Sequence, residues 1–220
     1  MVMPQLPPGI ARTIETRVRT LIGALILGLS VFGFSGHLSA EMETGSAMEA
    51  MKGTIDQVLK VLGDESLKAS ERAQDRLEIL EDIITKRFDY QEMGKRTLGK
   101  HWQQLSEADR EEFVHLFQRF LSKTYAGSVD GYSGEQVDYL KERRKGDFAE
   151  VQTAVTSDKS TLSIYYRMLK ISNVWRVYDV VLDGVSLVKN FRSQFGRIIE
   201  AESVEGLLEK LRTKTARLQS

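Results

Sequence analysis

Apolar runs joined by very short polar turns constrain this chain more than any other feature. Phe148 to Val155, Leu162 to Ile171 and Val174 to Leu182 are rich in β-branched and aromatic residues, a composition that suits pleated strands. Ser157-Asp158-Lys159-Ser160 and Ser172-Asn173 separate them, and Val137-Asp138-Tyr139-Leu140 precedes them across Arg144-Lys145-Gly146-Asp147. Linkers this short cannot carry a crossover, so four strands run as an antiparallel meander. In the third, Leu162, Ile164, Tyr166 and Met168 share a face against Ser163, Tyr165 and Arg167. In the fourth, Trp175, Val177 and Val181 alternate with Val174, Tyr178, Val180 and Leu182. Both of its faces are apolar, which predicts a central strand covered on each side.

The apolar period changes at Asp183-Gly184. Val185, Val188, Phe191, Phe195, Ile198 and Ile199 recur at three-to-four spacing, which predicts a helix over 185–200. A second follows over 203–217, with Lys210, Arg212, Lys214 and Arg217 near its C-terminal end, where the helix dipole favours cations. Helical spacing also governs the first half. Met48, Met51, Ile55, Val58, Leu59 and Leu62 line one segment that stops at Gly63-Asp64, and Leu77, Leu80, Ile83 and Ile84 line another over 70–87. A short helix around Met93–Leu98 breaks at Gly99, and Ser106 with Asp109 caps a further helix. That helix carries Phe113, Leu116, Phe117, Phe120, Leu121 and Tyr125 as a wide stripe before glycines at 127, 131 and 134. The fold class is α+β: helices packed on an antiparallel sheet of about four strands.

Residues 1–40 have the organisation of a signal peptide. Arg12, Arg17 and Arg19 precede the uncharged run from Leu21 to Phe34, and Leu38-Ser39-Ala40 offers a small-residue cleavage site. The run is nearer a signal core than the ~20 residues of a spanning helix. The expected organisation is therefore a signal peptide over 1–40, cleaved after Ala40, and one domain over 41–220. No cysteine follows the apolar core, so a lipoprotein anchor is excluded. The 31 basic and 31 acidic residues balance over the full chain, which does not favour a nucleic-acid footprint.

Catalytic and metal motifs are missing from the sequence. It has no GxSxG, no Gly-rich phosphate loop and no HExxH, and its lack of cysteine removes thiolate chemistry. His101 and His115 stand fourteen apart, a spacing that fits no metal motif. Asp179 and Asp183 are four apart on a strand; they offer either a carboxylate pair or a turn and a salt bridge, with Arg192 as a partner for Asp179. Lys141-Glu142-Arg143-Arg144-Lys145 is either a solvated strand end or a patch for an acidic partner or anionic head groups. The apolar surplus on strand and helices fits a dry core or a cavity for an apolar ligand, and periodicity does not separate the two.

One resemblance joins these pieces. Arg87-Phe88-Asp89-Tyr90 with Met93 and Leu98-Gly99, Trp102, Phe113/Phe117/Phe120/Leu121/Tyr125, Trp175 to Val180, and above all Gly184-Val185-Ser186-Leu187-Val188-Lys189-Asn190-Phe191-Arg192-Ser193-Gln194-Phe195 resemble the MlaC family. Phe191 stands where that family usually has Tyr. The resemblance implies a periplasmic phospholipid carrier of the Mla, or toluene-tolerance, system that maintains outer-membrane lipid asymmetry. Its implied partners are an inner-membrane ABC transporter complex bearing an MCE-domain protein and an outer-membrane lipoprotein–porin complex.

It also implies acyl chains held between a curved sheet and the helices, with phospholipid as ligand, no cofactor, no metal and no enzymatic activity. By position, Phe88, Leu98, Trp102, Phe117, Leu121, Tyr125, Ile164, Tyr166, Val181, Val185, Val188 and Phe191 are the candidate lipid-lining residues. Arg192 is a candidate for the head group or a salt bridge. The alternatives are an exported α+β enzyme using Asp179, Asp183 or His101, and an adaptor anchored in the inner membrane by its uncleaved first segment.

Overall fold

A computed structural model describes residues 45–126, 134–157 and 160–217, without the side chains of Ser70, Lys123, Tyr125, Ala126 and Arg217. The proposed signal peptide and the glycines at 127 and 131 lie outside these residues. Helices α1 (Ala47–Gly63), α2 (Ala73–Arg87), α3 (Tyr90–Leu98) and α4 (Glu107–Ala126) come first. Strands β1 (Gln136–Lys145), β2 (Phe148–Thr156), β3 (Thr161–Ile171), β4 (Val174–Leu182) and β5 (Val185–Ser186) follow, and α5 (Leu187–Ala201) and α6 (Val204–Arg217) close the chain.

Local chemistry starts and stops these elements. Ser46 caps α1 in a capping box: its hydroxyl accepts from Glu49 N at 3.1 Å, and the Glu49 carboxylate accepts from Ser46 N at 2.7 Å. Asp89 caps α3, accepting from Glu92 N at 2.8 Å, and Gly99 ends it with φ +56°, a conformation that favours glycine. Ser106 accepts from Asp109 N at 3.1 Å at the start of α4, as its spacing predicts.

The sheet has the order β1-β2-β3-β4-β5, and every pairing between named strands is antiparallel. The meander is as expected, with one strand more. Val185-Ser186 pairs with Leu182 and Val181 before the helix starts at Leu187. Asp183 (φ +46°) and Gly184 (φ +82°) close that hairpin with two consecutive left-handed residues, and Ser172 and Asn173 (φ +48° and +68°) do the same between β3 and β4.

Two bulges decide which side chains face the helices. Leu140 is the extra residue in β1, and Tyr178 is the extra residue in β4, where Met168 pairs with Val177 but Arg167 with Asp179. A bulge inserts one residue and resets the alternation beyond it. Val177, Val180 and Leu182 therefore share the face of Met168, Tyr166 and Ile164, their cross-strand partners. Val181 pairs with Tyr165 and points the other way. Strict alternation across β4 groups Val177 with Val181; the bulge at Tyr178 corrects that grouping.

The free edge of β4 next to β5 is taken by the α2–α3 junction, where Phe88 bridges Val177 in parallel and Asp89 N donates to Val177 O at 2.9 Å. One hydrophobic core joins α1, α3, α4, α5 and α6 to the helix-facing side of the sheet, and Trp175, Phe113, Phe117, Met93 and Met168 are fully buried within it. Among the described residues no helix is long and apolar enough to cross a membrane.

Candidate functional site

Helix α4 presents Phe113, Phe117 and Phe120 at i, i+4 and i+7, so all three lie along one stripe. Helix α5 presents Phe191 and Phe195 in the same way, and the two stripes meet as a five-ring cluster. Phe117 contacts the edges of Phe191 and Phe195 at centroid separations of 5.6 and 5.9 Å, and Phe120 contacts Phe191 at 5.7 Å. Edge-to-face geometry of this kind adds to the gain from burial. Leu98, Trp102, Leu121 and Val188 are buried in the same core. Phe88, Ile164 and Tyr166 are half-buried against it, the last two from the sheet side.

Nine of the twelve candidate lining residues thus converge where α3, α4 and α5 meet the helix-facing side of the sheet. Val181 is buried on the opposite face. Val185 is half-buried on β5 opposite Leu182, outside that core. The Tyr125 side chain lies outside the described residues. Sequence reasoning missed Val180, Leu182 and Val151 on the helix-facing side. The two β4 residues carry no signal without knowledge of the bulge, whereas Val151 could have been found from its partner Tyr166 once the hairpin register is known.

The polar groups at this junction are bound into the scaffold. Asp179 is 3% exposed, and its Oδ1 accepts from Val188 N at 3.1 Å. Its Oδ2 accepts from the Ser186 hydroxyl at 2.7 Å and from Arg167 Nη1 at 3.0 Å. Ser186 in turn accepts from Lys189 N at 3.0 Å and caps α5. One buried carboxylate therefore ties β3 and β4 to the first turn of α5. The partner of Asp179 is Arg167, its direct cross-strand neighbour, which corrects the expected pairing with Arg192.

Asp183 is exposed in its turn: its backbone N donates to Ser163 O at 2.9 Å, and its carboxylate accepts from Ser163 N at 3.1 Å. His101 lies on the short 3-10 turn between α3 and α4, a different element from those that carry the two carboxylates. Arg192 is exposed, with its guanidinium laid over Gly99, where an added Cβ would come within 2.6 Å of Nη2. Among the described residues Arg192 has no carboxylate partner, and no group of three or more metal-ligating side chains occurs.

The phenols around the core stay protonated well above neutral pH. Burial pushes the Tyr166 hydroxyl up to about 12, and burial followed by the Glu81 carboxylate pushes Tyr90 up to about 12. Burial, and then the Asp56 charge, also raises Tyr139. The face toward the helices is therefore apolar or neutral where it meets Ile164 and Tyr166. Such a surface holds hydrocarbon well.

The family model described as MlaC protein matches residues 52–213. The intermembrane phospholipid transport system binding protein MlaC of Haemophilus influenzae is 24% identical over 124 residues, which cover 54% of this chain. The match spans 58% of that relative's length. A solved structure of a phospholipid-binding protein from Ralstonia solanacearum, in complex with a phospholipid, is 26% identical with a TM-score of 0.73. It is covered over 100% of its length and matches 80% of this chain. The whole of that fold is therefore present here, with the five-stranded meander and its helices, and the chain belongs to the MlaC family.

Proposed function

We propose that this protein is a periplasmic phospholipid carrier, exported by residues 1–40, cleaved after Ala40 and folded as one domain over 41–220. The observation that carries the reading is the convergence of Leu98, Trp102, Phe117, Leu121, Ile164, Tyr166, Val188 and Phe191 between the helix-facing side of the sheet and α3–α5. Acyl chains enter between these layers, with Phe88 on the α2–α3 side and Val185 at the sheet edge. Each methylene removed from water is worth about 0.8 kcal/mol, so such a site can carry hydrocarbon through an aqueous compartment. Arg192, exposed above Gly99 and free of a carboxylate partner among the described residues, is available to a lipid phosphate.

The ligand is a phospholipid, with no cofactor and no metal, and the protein is a carrier and not an enzyme. Support for this comes from Asp179, whose carboxylate is consumed by three structural hydrogen bonds. The lipid passes between an inner-membrane ABC transporter complex with an MCE-domain protein and an outer-membrane lipoprotein–porin complex, and this traffic maintains lipid asymmetry.

The test is organic extraction and intact mass spectrometry of protein purified from a periplasmic fraction. About one phospholipid per chain and a mass beginning at Glu41 are expected. Lipid-free protein that retains residues 1–40 would overturn the reading. Face assignment is tested by filling: Ile164→Trp should lower the lipid recovered per chain, and Tyr165→Trp on the opposite face should not. Equal loss in both variants, with unchanged circular dichroism, would reject the proposed lining.

A further inference from the structure

The end of the sheet farthest from β5 carries a second surface that lipid binding does not use. Phe148 pairs with Leu169, and Ile171 lies two residues farther along the same face of β3. That face is the one opposite the helices, because the register places Ala149 and Met168 inward. Phe148 is 47% exposed and Ile171 is 42% exposed. The Phe148 ring meets Tyr178 edge-on at 6.2 Å, and the Arg96 guanidinium lies 4.0 Å from the centre of the Tyr178 ring. The apolar pair is therefore mounted on a braced aromatic base.

Positive charge surrounds it. Arg143 and Lys145 are exposed at the end of β1 and pair with Glu150 and Phe148, and Arg176 pairs with Leu169, so these three cations lie on the outer face. Among the described residues none of these three cations forms an ion pair. Arg176 donates to Lys86 O at 2.7 Å, a contact with a carbonyl that leaves the charge unneutralised. The nearby carboxylate of Glu150 is bound by Arg167. The full chain is neutral, so this concentration is local.

We infer that the outer face around Phe148 and Ile171, with its ring of Arg143, Lys145 and Arg176, docks a partner protein whose surface presents an aliphatic or aromatic projection ringed by carboxylates. Exposed aromatic side chains and arginines on a rigid base are what protein interfaces use as anchors. A bilayer suits the geometry less well. The leading turns, Gly146-Asp147 and Ser172-Asn173, are polar, so insertion would bury Asp147 before it buried Phe148. A second copy of the chain is disfavoured because a two-fold contact would set like charges face to face. The inference rests on the carrier reading, in which lipid is handed over at a partner.

The test places a photoreactive benzoylphenylalanine at position 148 of the full chain in its native host, with the same group at exposed Ile79 as control. Irradiation should give one predominant protein adduct from position 148 and none of that mass from position 79. The captured segment should carry Asp or Glu beside an apolar residue. R143E/K145E should cut the yield at least tenfold, and Asp→Lys or Glu→Lys in the captured segment should restore it to the charge-reversed variant. Adducts with phospholipid, with a second copy of the chain or with nothing would overturn the inference, as would indifference to charge reversal. Phospholipid extracted from the same preparations is read separately: lipid-free protein that still gives the charge-dependent adduct defeats the carrier reading and leaves the docking face standing.

Discussion

Asp179 shows how much one buried side chain can organise. Its carboxylate receives two hydrogen bonds from the first residues of the β5–α5 segment and one from Arg167 across the sheet. Asp179→Ala would leave Arg167 and the Val188 amide without their acceptor. A loss of about 3 kcal/mol is expected from removing one partner of a buried pair, measured by urea denaturation. Asp179→Asn should cost less because a carbonyl oxygen remains. Gly99 is the second residue with an outsized role. Its φ of +56° and the guanidinium stacked on it make Gly99→Ala cost about 1–2 kcal/mol. That cost should shrink in an Arg192→Ala background, because the clash is gone and only the backbone strain remains. Equal cost in both backgrounds would mean that Arg192 does not rest on Gly99 in solution. The sequence left Asp179 open between acid–base and salt-bridge roles and offered Arg192 as its partner. Arg167 is twelve residues away along the chain and becomes a neighbour only through the register of β3 and β4.

At the scale of elements, the gap between what is legible and what is not falls at the bulges. Leu162, Ile164, Tyr166 and Met168 alternate cleanly and all face inward, because β3 runs without an extra residue of its own. The Asp183-Gly184 turn was equally legible, since that dipeptide suits two consecutive left-handed residues. In β4 both faces are apolar, so the pattern cannot reveal that Tyr178 is inserted. The helix stripes were legible because period 3.6 survives any register. The meeting of Phe117 with Phe191 was not, since it depends on how α4 and α5 pack. The depth of that packing is testable. Phe195→Ala should cost about 3–5 kcal/mol as a buried ring, and Phe120→Ala clearly less, because Phe120 is only half-buried. Ser186→Ala, which removes a helix cap, should cost about 1–2 kcal/mol. Matching losses for the two phenylalanines would show that the cluster is looser than its ring geometry.

For the whole molecule, paired and buried ionisable groups tie stability to pH. Arg212 binds Glu112 through two hydrogen bonds at 2.7 and 2.9 Å, tying α6 to α4 and holding the Glu112 carboxyl below its usual range. The stability this tie contributes is present above the ordinary carboxylate range and is lost as pH falls through the lowered value. The alkaline side is set by the tyrosines. Unfolded, their phenols ionise near 10.0; folded, Tyr90 and Tyr166 keep their protons to about 12, and Tyr139 is raised as well. Between those limits the folded chain binds more protons than the unfolded one, so stability is intact below pH 10 and declines as pH rises toward 12. Tyr90 and Tyr166 each contribute up to about 2 kcal/mol of that decline, because a tenfold difference in proton affinity between the folded and unfolded chain is worth about 1.4 kcal/mol. Following tyrosinate absorbance and far-ultraviolet circular dichroism together tests this. Tyr90, Tyr139 and Tyr166 should ionise together in one steep step above pH 10, as secondary structure is lost. Replacing Tyr166, which lies on the helix-facing side of the sheet, with Phe should move that step to higher pH. If these three instead ionise near pH 10 while the dichroism persists, water already reaches the space between sheet and helices, and the layers do not seal the interior that a lipid carrier requires.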